Sequence, residues 1–274
     1  IEGIRLGPYF PLERIQSALK YQPEAHDKFL VSFPRTGTTW VQQIGYLLFH
    51  NGIPPSSADD FHNNGTFLEL RGADVVKRRG HQVVGLPKRP KKTKYTCRNP
   101  KNTCVSLFYH TRRYPAYEFE AGKFEDFFDV FLGGNSEVGE YFDDVLSWYE
   151  CRNDPNGLFI HYENLKSNLK FSVLEIAEFV DRKRHKLLLR YNKMLERVLE
   201  YSSINFMKGC WSIVFENLYP TSSNRPHARF TRNGRVGDWR KHFTDMRNAR
   251  IEEKIYRELS GTNPITVWEK HSVV

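Results

Sequence analysis

Arg35, Thr36, Gly37, Thr38 and Thr39 stand between an apolar run and an amphipathic one, an order of residue types that suits the capture of an anion. The apolar run of Phe29, Leu30, Val31 and Phe33 reads as a strand that stops at Pro34. Trp40, Val41, Ile44, Leu47 and Leu48 then fall on one face of a helix. A strand, a tight turn and a helix N-terminus present free backbone N–H groups, and the positive end of the helix dipole, to a phosphate-like ligand. Gly37 permits a backbone conformation that other residues resist. Thr38 and Thr39 add hydroxyl donors, and Arg35 adds a fixed charge with a bidentate fork. The Walker A pattern places Lys directly after its last Gly. Here Thr38 follows Gly37 and the cation precedes it. The same residues also read as an ordinary strand–helix corner with a threonine cap.

Two more segments carry suitable chemistry. Lys94 to His110 reads KYTCRNPKNTCVSLFYH, a short strand end followed by a helix that begins at a proline. Ser106 falls about two helical turns after Arg98, so the pair can flank a further phosphate. Taken singly, Arg98 reads better as a surface ion-pair partner and Ser106 as a packing residue. Phe230 to Phe243 reads FTRNGRVGDWRKHF, a basic, glycine-bearing loop that leads into another helix. Such loops close over anionic ligands, and they also occur simply as solvated surface.

Together the three segments resemble the cytosolic sulfotransferase family, whose members move the sulfuryl group of 3′-phosphoadenosine 5′-phosphosulfate (PAPS) to hydroxyls or amines. The family's PKSGTTW loop is matched by Pro34-Arg35-Thr36-Gly37-Thr38-Thr39-Trp40. Its RNPKDxxVS segment is matched by Arg98 to Ser106, and its RKGxxGDW segment by Arg232-Asn233-Gly234-Arg235-Val236-Gly237-Asp238-Trp239. The order and wide spacing of the motifs extend the resemblance over nearly the whole chain. The FLE-then-GADVV and YHTRRYPAYEFE stretches look most like arthropod members.

The resemblance implies a role for each matched residue. Arg35, Thr36, Gly37, Thr38 and Thr39 hold the 5′-phosphosulfate. Arg35 stabilises the leaving group where the family has Lys. Arg98 and Ser106 bind the 3′-phosphate, and Arg232, Asn233 and Gly234 close over it. Trp40, Tyr162, Ser202 and Met207 match positions at the adenine or its ribose, and Ile204 replaces a usual Phe. The product left behind is 3′-phosphoadenosine 5′-phosphate (PAP). No metal is expected, because Arg and Lys neutralise the donor.

The family's general base is the His of a KTHLP segment. Here Gly80 to Pro87 reads GHQVVGLP, and matching Leu86-Pro87 puts Gly85 where the histidine belongs. The stretch from Leu86 to Arg98 is also shorter than in the family. Either the segment is missing from this sequence or the protein lacks it. His81 is the nearest ionisable substitute, with His62 and His110 as further alternatives. His81 also reads as a surface-loop histidine, and His110 as a residue packed in its helix. Phe61, Phe67, Tyr114 and Tyr117 are candidates for lining an acceptor pocket, for an aromatic alcohol or amine; aromatics at this density also serve as core. The family's KxxxTVxxxE dimer motif is degenerate, with Asp245 and Ala249 in place of its Val and Glu.

These residues need a scaffold that brings them together. Strands are expected at Lys28–Phe33, Lys94–Cys97 and Gly157–Tyr162. Helices are expected at Thr39–Asn51, Lys101–Arg112, Phe124–Leu132, Val138–Arg152, Leu165–Val180, His185–Tyr201 and Arg240–Leu259. Strands alternating with helices argue for an α/β fold with a central parallel sheet flanked by helices and a P-loop-like phosphosulfate loop. Ligands of such sheets sit beyond the carboxyl ends of the strands. The 274 residues carry no linker-like stretch and no repeat, so one sulfotransferase domain over 1–274 is expected. A hydrophobic fraction of 39%, with 14% aromatic, suffices for a sizeable core.

Four cysteines without a CxxC pair suit a reducing, cytoplasmic compartment. No apolar run reaches the ~20 residues of a membrane span, so no membrane partner is expected. The net charge of +9 suits steering of a polyanionic nucleotide. It does not point to nucleic acid, because the basic run Lys88 to Lys94 lacks interleaved aromatics. A nucleotide-binding protein without the base, catalytically weak, is the alternative. A P-loop kinase or NTPase is disfavoured by the missing Lys after Gly37.

Overall fold

The computed structural model describes residues 6–7, 10–24, 27–74, 83–84, 92–209 and 234–272. Helix α1 (Leu12–Leu19) precedes β1 (Phe29–Ser32), which feeds α2 (Thr38–Phe49) through the glycine turn. Next come α3 (Ala58–Asn63), β2 (Thr66–Phe67), α4 (Leu68–Arg71), β3 (Val83–Val84), β4 (Thr93–Cys97) and α5 (Pro100–Arg113). A 3-10 turn at Pro115–Tyr117 leads to α6 (Phe124–Leu132), α7 (Tyr141–Tyr149) and β5 (Gly157–His161). The chain continues through α8 (Tyr162–Ser167), α9 (Leu169–Val180), α10 (Arg182–Arg190) and α11 (Asn192–Tyr201). A 3-10 turn at Asp238–Lys241, α12 (Asp245–Leu259) and α13 (Asn263–Ser272) complete the described chain.

The sheet is parallel throughout, in the order β2-β3-β1-β4-β5. β1 is sandwiched. Leu30 faces a core shared with α2, α9 and α11, while Val31 and Phe33 face one shared with α5, α6, α7, α12 and α13. Successive strand side chains point to opposite faces, so one apolar run serves both layers. In register, Ser32 lies beside Thr96, and Cys97 beside His161. The turn after β1, the Arg98-Asn99 corner after β4 and Tyr162 after β5 therefore leave from one edge of the sheet, where α/β sheets bind ligands.

The three expected strands are present. The two-residue strands β2 and β3 were not anticipated, being too short to show a period. Two expected helices are each split in two, because a cap can interrupt a helix without interrupting its hydrophobic period. Asn168 Oδ1 accepts from Phe171 N at 3.1 Å and separates α8 from α9. Asp181 Oδ1 accepts from Lys183 N at 2.8 Å and starts α10 ahead of the expected His185. That helix ends at Arg190, and α11 begins at Asn192. The helix expected from Arg240 is a 3-10 turn followed by α12, whose N-cap Thr244 accepts from Arg247 N at 3.3 Å.

Candidate active site

The turn between β1 and α2 is built to leave amides exposed. Gly37, the N-cap of α2, has φ 118°, in the left-handed region that glycine alone enters freely. A Cβ there would stand 3.0 Å from Tyr162 Cδ2 and 3.4 Å from Thr96 Cγ2. Arg35 also has positive φ, at 71°, a strain held by its surroundings. The amides of Gly37, Thr38 and Thr39 make no hydrogen bond with other described residues, whereas Trp40 N and Val41 N bond to Gly37 O at 2.9 and 3.1 Å. The Thr38 hydroxyl touches the Ser32 hydroxyl. Thr36 stands in the turn with its side chain held by the protein. Its fully buried hydroxyl lies within bonding distance of Phe33 O at 2.7 Å and Thr96 O at 2.9 Å, and so ties the turn to β4.

Arg35 joins the two phosphate motifs. Its Nε donates to Ser106 Oγ at 3.3 Å, and its carbonyl accepts from Arg98 Nη1 at 3.1 Å. Arg98 is 9% exposed, and its guanidinium lies 4.2 Å from the Tyr162 ring centroid. A third cation, Arg113 at the end of α5, belongs to the same group. Burial first, and then Arg98 and Arg113, push the Arg35 guanidinium below its ordinary range, with Tyr114 acting against them. The Nε atoms of both Arg98 and Arg113 are buried without a hydrogen-bond partner. Three cations around open amides and unsatisfied donors are what a multiply charged anion relieves. Arg113 was not singled out in the sequence. The signal was there, since Ser106, His110 and Arg113 follow one helical stripe along α5.

Around this centre, Trp40 meets Tyr162 edge-on at 5.4 Å, and its Nε1 donates to Ser202 O at 2.7 Å. Both rings belong to the core, as does Met207. Ser202 is fully buried and its hydroxyl donates to Val198 O at 2.5 Å, so its side chain serves the end of α11 and is not offered to a ligand. Gly234 is described, with φ 60°, and a Cβ there would meet Ile204 at 2.9 Å. Arg232 and Asn233 lie outside the described residues. The GDW motif reaches the second motif directly. Lys101 Nζ stands 4.0 Å above the Trp239 ring and bonds to Glu252 and Asn248 at 2.6 and 2.8 Å.

On the far side of Arg35, His110 is packed against Tyr114 at 4.6 Å between ring centroids, and its Nε2 is 4.0 Å from Glu137 Oε1. Burial first, then Arg35 and Arg113, hold His110 well below the usual histidine range, so the imidazole is neutral. Glu137 and Tyr117 help line a cavity of about 450 Å³, together with Leu107, Thr111 and Phe127. Glu137 had no sequence signal, for it sits in a loop outside every motif. Of the expected pocket aromatics, Tyr117 lines this cavity and Tyr114 stands beside His110. Phe61 does not fit that expectation. It is fully buried against Tyr46 and His62 in the core, because an apolar residue on a short helix is drawn inward. Phe67 packs on the same core. His62 is buried on α3, where burial lowers its pKa to about 4. His81 lies outside the described residues.

A parallel α/β sheet with a glycine turn, open amides and clustered arginines at its carboxyl edge defines a protein that binds a phosphate-bearing ligand. Residues 25–263 match the sulfotransferase domain, and the chain belongs to the sulfotransferase family. As a member it is an enzyme that takes its sulfuryl group from PAPS. It is 25% identical to sulfotransferase 1E1 of Bos taurus over 270 residues, covering 92% of this chain and 89% of that protein. It is 27% identical to an amine sulfotransferase of Oryctolagus cuniculus, covering 89% and 84%. The fold matches mouse sulfotransferase SULT7A1 complexed with PAP at a TM-score of 0.78 and 24% identity, covering 100% of this chain and 98% of that one.

Proposed function

We propose that this sulfotransferase moves the sulfuryl group of PAPS to a hydroxyl or amine of a small, aromatic acceptor. The observation that carries the reading is the bridge made by Arg35, which touches Ser106 through its side chain and Arg98 through its carbonyl. The amides after Arg35 hold the 5′-phosphosulfate, Arg98 and Ser106 hold the 3′-phosphate, and Arg113 adds charge between them. Trp40 and Tyr162 wall the adenine end, with Ser202 and Met207 packed behind. Arg232, Asn233 and Gly234 close over the nucleotide. Tyr114 and Tyr117 flank the acceptor. The buried Nε atoms of Arg98 and Arg113 support this fit, since each lacks an acceptor that a phosphate oxygen supplies.

The whole chain, residues 1–274, acts as one sulfotransferase domain working in the cytoplasm. No helix among the described residues is long and apolar enough to cross a membrane. Calorimetry with PAP and with ADP is the test. PAP binds more tightly on this reading, because only PAP presents a 3′-phosphate to Arg98 and Ser106. Equal affinities would defeat it.

A further inference from the structure

Where α12 reaches the surface, its cations are paired. Arg247, Arg250, Lys254 and Arg257 meet Glu125, Asp129, Glu140 and Glu258 at 3.5, 2.9, 2.5 and 2.9 Å. The outer face of α10 differs. Arg182, Lys186 and Arg190 recur at i, i+4 and i+8 and so form one row, with Lys183 and Leu189 on either side of it. All of them are exposed, Leu189 by 62%. Among the described residues these cations make no ion pair. The contact of that kind on α10 is Arg184 Nε with its N-cap Asp181, at 4.0 Å. The helix carries no carboxylate of its own. The neighbouring α9 and α11 carry Glu175, Glu178, Glu196 and Glu200, and none of these pairs with the row.

The packing beneath fixes where this face points. Leu188 is fully buried in the core shared with α2, α9 and α11, on the side of the helix away from the row. Arg184 reaches towards α2. Its Nη1 donates to Asn51 Oδ1 at 2.6 Å, and its guanidinium is 5.9 Å from the centroid of the Phe49 ring. Both partners stand at the C-terminal end of α2. The glycine turn is at the other end of that helix, 12 residues or about 18 Å away. The row therefore stands apart from the glycine turn that meets the donor.

We propose that this face of α10 docks on an anionic lipid surface, as a peripheral and reversible contact. Several Lys and Arg on one helix face are what acidic headgroups bind, each strengthening attachment by about fivefold. Such attachment needs charge and no apolar span, so it agrees with helices that cannot cross a bilayer. The apolar groups favour lipid over nucleic acid or an acidic protein segment. Leu189 projects beside the cations, and Tyr191, 50% exposed, follows with the Arg190 guanidinium 5.5 Å from its ring centroid. An aliphatic side chain is stabilised by entering the boundary between headgroups and acyl chains, while Lys and Arg stems reach back to the phosphates. A phosphodiester backbone offers an exposed leucine no such burial. Docking also serves the reaction. The cavity bounded by Leu107, Phe127 and Val130 suits apolar acceptors, which bilayers concentrate.

The test is co-sedimentation of the full chain with vesicles of equal parts phosphatidylcholine and phosphatidylserine, and with vesicles of phosphatidylcholine alone. The protein should pellet with the mixed vesicles only, and less so as salt is raised. Lys186→Gln combined with Arg190→Gln should weaken that binding by about 20–30-fold, while PAP affinity stays at the parent value. Leu189→Gln should weaken it as well. Arg257→Gln, which removes a paired cation on α12, should change it far less. Saturating PAP should not release the protein from the vesicles. Equal binding to phosphatidylcholine alone, or parent-strength binding by the double variant, would overturn the proposal. So would release by PAP, which would put the lipid phosphate in the donor site. Tighter binding to single-stranded RNA or to polyglutamate than to the mixed vesicles would overturn it too.

Discussion

Arg35 donates from Nε to Ser106 Oγ at 3.3 Å, joining the glycine turn after β1 to the middle of α5. The contact fixes the guanidinium between two places where phosphate charge is expected. It also means that altering Ser106 removes one of the contacts that hold Arg35.

The first prediction concerns the 3′-phosphate. Arg98→Ala should erase most of the preference for PAP over ADP, because a hydrogen bond to a charged group contributes about 1.5–3 kcal/mol. Ser106→Ala should reduce the preference less. Its hydroxyl is neutral, and part of its role is to hold Arg35. Calorimetry on both variants checks this, and an undiminished preference in Arg98→Ala would move the 3′-phosphate elsewhere.

Arg35 should matter more to rate than to binding. Charge grows on the leaving oxygen in the transition state, and only interactions that strengthen there accelerate the step. Arg35→Ala is expected to lower kcat by about 10²–10³-fold, the usual effect of removing one such donor. Donor affinity should fall far less. Unchanged turnover with a raised donor KM would make Arg35 a plain binding residue.

Gly37→Ala tests the turn itself. At φ 118° an L side chain is strained, by about 1–3 kcal/mol, and its Cβ would press on the Tyr162 ring at 3.0 Å. The variant should melt lower and lose PAP affinity together, since the same turn aims the amides. If it melts lower yet binds PAP normally, the amides are not aimed by the Gly37 conformation.

Much of this site was legible because its residues are local. Strand, turn and helix follow one another from Phe29 to Leu48, and Arg98 to Ser106 is one cap and two turns of helix. The residues that escaped are those set by tertiary packing. Thr36 and Ser202 stand at positions a motif matches to the donor, and their hydroxyls bond to carbonyls that only the fold brings near or aligns. Phe61 has the composition of a pocket residue and the position of a core one. Glu137 becomes part of the site only because its loop packs beside α5, and no local pattern announces that. His110 was read both as an alternative base and as a residue packed in its helix. It does pack, against Tyr114, yet it also stands between Arg35 and Glu137.

Lys94 provides the last prediction, on stability. It is fully buried in β4, in register with Leu30 and Leu158, so it shares their apolar face of the sheet. Burial first, and then Lys28, lower its pKa to about 7 from the ordinary 10.5. Below pH 7 the lysine is protonated in both states and the folded state bears the full desolvation penalty. Between 7 and 10.5 the unfolded chain binds the extra proton, so stability rises with pH, by up to about 1.4 kcal/mol per unit for one group. Cys97 and Cys104, held well above the ordinary 9.0 by burial, act in the opposite sense once the unfolded thiols ionise. The gain from Lys94 is therefore clearest between about pH 7 and 9. Lys94→Met removes this titration and with it the rise of stability with pH that Lys94 gives the parent. The stability of the variant relative to the parent should therefore fall steadily from about pH 7 towards pH 9. Urea unfolding of both proteins across this range is the measurement. Parallel curves for the two would show that Lys94 does not titrate in this window.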